Sequence, residues 1–411
     1  MDAMPGAASL DPIRALAPHE QQRFRTLADL PGVVPPVVAL PGGGIVATVD
    51  PERASHRVAV ACDLDPGFGF RICRTGLTEE IVARAAAFLA DDLARTIPAG
   101  PRAKGLVRVD IPRLHRVLRH GARWVVHQGI GTRADLDRIL DGGAIATAEP
   151  EALPLTVRRD LLGDLGALGS GEAGLDLLVA EGIDAGATRR WQIRNGEVLL
   201  VVRCGSRALG RRFLESQPPG EGPPLASPEG RTFLEGLAAV TNYALANRQI
   251  VATLASRSVA RCVRGAEVRP LCDLLSDHTE VAEAGGGRGG ERLLVHRGGA
   301  LRLADMPGLL SAGLGATLAL LASPEPPRNL PIPARAARTL APDQTSSHWS
   351  AQEVAREMAR RGVTLRYASA PAAETEAPWA YCAPGPAEQS LEEAGLASRV
   401  GLLRPLLAVR G

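Results

Sequence analysis

Arg190-Trp191-Gln192-Ile193-Arg194-Asn195-Gly196-Glu197-Val198-Leu199-Leu200-Val201-Val202-Arg203 is the stretch on which the reading of the fold turns. Asn-Gly between two apolar runs is a strong short-range signal for a β-hairpin, because both residues tolerate the positive φ of a tight turn. The expected strands are 190–194 and 197–203. Further along, 229–256 reads as one long helix. Thr78 opens another as N-cap, with acids at 79 and 80 and apolar Ile81, Val82, Ala85 and Leu89 at helical spacing. Shorter helical stretches fall at 111–125 and 133–140, the second introduced by Thr132. Strand-like runs occupy 36–40, 45–50, 57–62 and 292–296, with Pro41-Gly42-Gly43-Gly44 as a turn. Hairpins mixed with long helices, without a repeat or an internal boundary, predict one α/β (α+β) domain over 31–411. Residues 1–30 read as a loosely attached, flexible leader, and a Pro-rich stretch at 323–333 breaks the chain before its last segment.

Composition narrows the function. Of 411 residues, 45% are hydrophobic and 22% charged, close to the globular average and unlike a disordered chain. No uninterrupted apolar run reaches the length of a membrane span, and the N-terminus lacks a signal pattern, so a cytoplasmic protein is expected. A net charge of +2 excludes a uniformly basic coat for nucleic acid but leaves room for a local basic groove. Lys104 is the sole lysine among 47 basic side chains, so any lysine-dependent chemistry would have to use it. The six cysteines (62, 73, 204, 262, 272 and 382) show no C-x-x-C spacing and read as reduced residues, mostly of the core.

Several local patterns recur in one order. They are Asp65-Pro66-Gly67-Phe68-Gly69, Gly121-Ala122-Arg123-Trp124-Val125, Leu168-Gly169-Ser170-Gly171 and Cys204-Gly205-Ser206-Arg207-Ala208-Leu209-Gly210. Asn242-Tyr243-Ala244-Leu245-Ala246-Asn247-Arg248-Gln249, Val295-His296-Arg297, Ala377-Pro378-Trp379-Ala380-Tyr381 and Leu403-Arg404-Pro405 with terminal Gly411 complete the series. Together they resemble the RtcB family of RNA ligases over roughly residues 30 to 411. The resemblance implies a single RtcB-type domain acting on RNA ends in tRNA splicing or RNA repair. It also implies joining of a 3′-phosphate to a 5′-hydroxyl through a guanylylated histidine, with GTP and Mn²⁺, the metal being held by an Asp, a Cys and three His.

Several of those positions carry other residues here. The family's Asp-x-Asn-Cys-Gly is Asp65 to Gly69, with Phe68 in place of the thiolate. Its Gly-Ser-Gly-Asn-His-Phe-x-Glu is Gly169-Ser170-Gly171-Glu172-Ala173-Gly174-Leu175-Asp176, so a metal-binding His is Ala173. Its His-x-Gly-Ser-Arg begins at Arg203, a permanent cation where a neutral imidazole would bind metal. Its His-Asn is matched to His278-Thr279, and the guanylylated histidine to Ala334. What survives in this reading is a metal remnant of Asp65 and His278 and nucleotide contacts from Asp176, His278, Thr279 and Arg410. The RNA or phosphate set is the Gly169-Ser170-Gly171 turn with Arg203, Arg207 and Arg338, since guanidinium binds phosphate bidentately. Each also has a plain reading: Asp65 as a turn acid before Pro66-Gly67, His278 as a hydrogen-bonded polar residue, the arginines as surface residues. The expectation is a degenerate relative that binds RNA ends without joining them and has no firm cofactor. The alternatives are an active ligase with a rearranged site and a non-catalytic scaffold for a protein partner.

Overall fold

Residues 18–40, 44–62, 64–100, 103–159, 165–283, 292–324 and 331–411 are described by the computed structural model. Residues 1–17 of the expected leader, 41–43 of the expected turn and 325–330 of the Pro-rich stretch lie outside the described residues. The chain runs through α1 (Pro18–Ala28), β1 (Val33–Leu40), β2 (Gly44–Val49) and α2 (Arg57–Ala61). β3 (Gly69–Thr78) leads into α3 (Glu79–Thr96), α4 (Ile111–His127), α5 (Arg133–Leu136) and α6 (Leu155–Arg159). β4 (Gly174–Glu181), α7 (Ala185–Trp191), β5 (Glu197–Cys204), α8 (Leu209–Glu215) and α9 (Pro228–Cys262) form the middle. Then come β6 (Arg269–Leu275), β7 (His278–Glu283), β8 (Arg292–Gly298), β9 (Ala300–Arg302), β10 (Gly308–Leu310), β11 (Leu318–Ala322) and β12 (Pro331–Pro333). β13 (Thr364–Tyr367) and β14 (Ser398–Arg410) close the fold.

The main sheet has the order β10-β11-β14-β4-β5-β3-β6, antiparallel throughout, with β13 parallel to β14. A second sheet is β1-β2-β8-β7, and β12 pairs with β9. β4 and β5 are apolar at nearly every position because both faces of the sheet are covered. Leu178, Ala180, Leu199 and Val201 enter one core, while Leu177, Val179, Leu200 and Val202 enter the other with α3 and α9. Among the described residues no helix is long and apolar enough to cross a membrane.

α9 is the long helix that the sequence predicts. Ser227 caps it by accepting a hydrogen bond from the Gly230 N–H (3.1 Å), ahead of Pro228 at its first position. Three of its buried polar residues reach across to other segments. Asn242 Nδ2 donates to the Leu118, Arg119 and Ile145 carbonyls, and Asn247 Nδ2 donates to the Ala167 and Gly205 carbonyls. The Arg248 guanidinium donates to the Gly67 and Cys204 carbonyls and to Asp273. These bonds remove the cost of burying polar groups and fix the loops around the helix.

Three expectations are corrected. The residues before Asn195-Gly196 are α7 and a loop, and β5 pairs instead with β4. The turn itself is present: Gly196 has φ +78° and Asn195 Oδ1 accepts from the Ile183 N–H (2.8 Å). Residues 57–62, read as a strand, contain α2, whose Val58, Ala59 and Cys62 are buried on one helical face. Within the expected leader, α1 belongs to the fold: Leu27 is fully buried and the Arg23 guanidinium donates to the Ala61 and Cys62 carbonyls.

Candidate functional site

Because β4, β5, β3 and β6 are successive antiparallel neighbours, the starts of β3 and β4 meet the ends of β5 and β6 at one edge of the sheet. The turns there enclose a cleft of about 630 Å³. Its floor is the Asp65–Gly69 turn, held by main-chain hydrogen bonds. The Gly67 N–H donates to the Asp277 carbonyl (2.9 Å) and the Ser276 N–H to the Phe68 carbonyl (2.9 Å). Ser206 Oγ donates to Asp65 Oδ1 (2.8 Å) and accepts from the Gly210 N–H (2.9 Å). The packing leaves no room for a side chain at Gly205, where a Cβ would lie 2.9 Å from both Asp65 Oδ2 and the Phe68 ring. The Gly-Ser-Arg turn is thus set by close approach. Arg207 has φ +60°, a conformation that costs a non-glycine residue on the order of 1 kcal/mol and that occurs where a site fixes a side chain.

Of the residues singled out from the sequence, Asp65, Gly169, Ser170, Arg203, Arg207 and Ala334 line the cleft. Phe68 and Ala173 line it as well, so the segments around Asp65, Gly169, Arg203 and Ala334 converge on one cleft. Asp176, His278, Thr279, Arg338 and Arg410 do not line it, and neither does Gly171. Asp176 and Arg410 are buried against each other, Arg410 Nη2 donating to Asp176 Oδ1 and Arg203 Nη2 to Asp176 Oδ2, each at 2.7 Å. Arg338 is committed internally to the Leu340 and Thr375 carbonyls, Thr345 Oγ1, Glu376 and Tyr381, whose ring lies 4.5 Å below its guanidinium.

His278 stands one residue beyond the cleft. It opens β7 opposite Arg297 on β8, and burial pushes its imidazole down to about 3, helped by the Arg297 and Arg302 charges. Thr279 points to the other face, where its hydroxyl meets His296 Nδ1 at 2.8 Å. The residue of this motif that faces the cleft is Asp277. Its Oδ1 accepts from the Asp65 N–H (3.3 Å), and its Oδ2 from Ser276 Oγ (2.8 Å) and the Gly299 N–H (3.4 Å). Sequence reasoning passed over Asp277 because the neighbouring His278 supplied the residue type being sought.

It also passed over four arginines of the lining. Arg335 forms an ion pair with Glu172. Arg211 and Arg212 lie on α8, one helical turn beyond Arg207, and Arg23 comes from α1. Arg207 Nη2 donates to the Gly100 (3.2 Å) and Ala103 (3.0 Å) carbonyls. Arg211 is exposed and forms no ion pair among the described residues. The lining holds six arginines against four acids, so its balance is cationic.

The donor set does not fit Mn²⁺. Among the described residues, no three His, Cys, Asp or Glu side chains gather as a metal site requires. Asp65 and Asp277 come together, but Phe68, Ala173 and Arg203 surround them with a ring, a methyl and a cation. Ala334, matched in the sequence to the guanylylated histidine, offers only a methyl group, and of the four residues expected to hold the nucleotide, Asp176 and Arg410 satisfy each other in the interior. What the cleft can do chemically is offer guanidinium groups to an anion.

A family model described as tRNA-splicing ligase RtcB matches residues 24–217 and 222–411. The chain is similar to the tRNA-splicing ligase RtcB of Thermococcus kodakarensis, 26% identical over 95% of this chain and 90% of that protein. It is likewise similar to the RNA-splicing ligase RtcB of Mycobacterium tuberculosis, 28% identical over 94% of this chain and 99% of that protein. Against the Pyrococcus furiosus tRNA-splicing ligase RtcB, 28% identical, it spans 40% of the relative's length.

Proposed function

The chain belongs to the RtcB family of RNA ligases, and from that premise we propose that it is a non-ligating member which binds RNA through a terminal phosphate. The observation that supports this reading best is the composition of the cleft. The positions that would carry metal and guanylate hold Phe68, Ala173, Arg203 and Ala334, while guanidinium groups line the same cavity. Joining requires the guanylylated histidine and a cation that neutralises and orients the phosphates. Binding requires only charge and donors. The phosphate contacts fall first to Arg211, which is exposed and forms no ion pair among the described residues, with Arg207 and Arg212 beside it on the same wall of the cleft.

The test is fluorescence anisotropy of a short labelled RNA ending in a 3′-phosphate, titrated at several salt concentrations. Binding should be weak and should follow a log–log salt slope of about −0.7 per phosphate contact. Replacing the 3′-phosphate by a 3′-hydroxyl should weaken it. Incubation with GTP, Mn²⁺ and a 5′-hydroxyl partner should yield no joined product and no covalent guanylate. A joined product, or wild-type protein that binds no RNA at low salt, overturns the proposal.

A further inference from the structure

A second cavity, of about 260 Å³, lies between α9, β3 and the turn that precedes α5. Arg71 lies at its floor, 2% exposed, with Nε donating to Asp273 Oδ2 (2.9 Å) and Nη1 to Gln249 Oε1 (2.6 Å). Its Nη2 is buried and meets no partner among the described residues. Asp273 is shared. Its Oδ1 accepts from Arg248 Nε (2.9 Å) and Nη2 (2.7 Å), so one carboxylate serves two buried guanidiniums. Cys73 and Cys204 supply no compensating charge, because burial pushes both thiols up to about 12. An uncompensated cation in the interior is unfavourable, and Arg71 is one of the residues that line the cavity.

Two more charged groups line the cavity. Asp135 already accepts from the Thr132 N–H (3.1 Å), Thr132 Oγ1 (2.8 Å) and Gln249 Nε2 (2.8 Å). Arg257, on the exposed side of α9, forms no ion pair among the described residues. Of the charged groups that line the cavity, two guanidiniums (71 and 257) face one carboxylate (135), an excess of one positive charge that a monoanion would cancel. The volume is several times the roughly 30 Å³ share of a water molecule, enough for a tetrahedral oxyanion with a small substituent.

We propose that this cavity binds a phosphate-class oxyanion between Arg71 at its floor and Arg257 at its mouth. The site is distinct from the cleft: none of its lining residues borders the larger cavity. The ligand would be either free phosphate or the phosphate of a small nucleotide.

Calorimetric titration at constant ionic strength tests it, with inorganic phosphate and AMP as separate probes. Wild-type protein should bind one of them saturably at one site. Arg257→Ala should weaken that binding about tenfold, the effect of one charge-assisted contact. Ala260→Phe, which fills the exposed mouth and leaves every charge in place, should abolish it, and Arg211→Ala in the cleft should leave it unchanged. Both pocket substitutions sit on the solvent side of α9, so the fold is retained, and far-ultraviolet circular dichroism verifies this. Equal affinity for the two probes assigns the site to free oxyanion. Tighter AMP binding that Ala260→Phe still removes assigns it to a nucleotide. No saturable binding, or binding that survives Arg257→Ala and Ala260→Phe yet disappears with Arg211→Ala, overturns the proposal.

Discussion

The two walls of the cleft handle the same residue type in opposite ways. On one wall, Arg203 meets Asp176, which also receives Arg410, and Arg335 meets Glu172. On the other, Arg207, Arg211 and Arg212 follow the Gly-Ser turn into α8, and Arg211 is left to solvent. In the first case a guanidinium completes the interior; in the second the exposed Arg211 stands open to an incoming anion. The lesson is that charge at a cleft becomes binding capacity only where the fold has not already spent it on a buried carboxylate.

Asp176→Ala should have the largest effect on stability. It leaves Arg203 and Arg410 in the interior without their carboxylate and should cost about 3–5 kcal/mol in denaturant unfolding. RNA affinity of the folded fraction should not fall, since the matched wall makes no contact with the phosphate. If affinity falls while the fold holds, the matched wall touches RNA and the contrast between the walls collapses.

Beyond the cleft, the paired strands β7 and β8 carry a histidine on each face. His278 and His296 are both buried, and burial lowers them from an ordinary 6.5 to about 3 and about 4. Groups lowered in the folded state are protonated first in the unfolded chain. Stability is therefore complete above pH 6.5 and falls as pH drops, by about 1.4 kcal/mol per unit for each histidine. Urea unfolding between pH 4.5 and 7 measures the slope, and His278→Asn should remove roughly half of this histidine-dependent part. An unchanged slope would mean that His278 can charge in place, as a residue facing the open cleft would.

Arg211→Ala should have the smallest effect on stability, within about 0.5 kcal/mol, because the side chain is exposed and forms no ion pair among the described residues. Its effect belongs to RNA: the salt slope should lose about 0.7. Equal losses of stability and affinity would erase the distinction between the walls.

How much of this was legible in the sequence depended on how far each signal extends. α9 was readable because its periodicity runs over many turns and Pro228 marks its start. The alternation at 57–62 was not, because six residues cannot separate a period of 2 from one of 3.6. Asn195-Gly196 announced a turn correctly but not its partner: the strand that pairs with β5 lies before α7, and a dipeptide carries no information about that distance. At the site, the segments that converge on the cleft, among them those holding Phe68, Ala173 and Ala334, were legible as positions. The partners were not. That Arg338 would turn inward to Tyr381 and Glu376, and that Asp277 rather than His278 would face the cleft, depends on register. A shift of one residue at the start of β7 moves a side chain to the opposite face.

The amide and guanidinium groups along α9 have one more consequence. They grip main-chain carbonyls at positions 67, 118, 119, 145, 167, 204 and 205, so segments far apart in the chain hang from a single rod. None of those segments can open alone without breaking a bond to the rod. In hydrogen exchange, the amides that form the cleft floor should therefore open with the helix as one cooperative unit, at the rate of global unfolding.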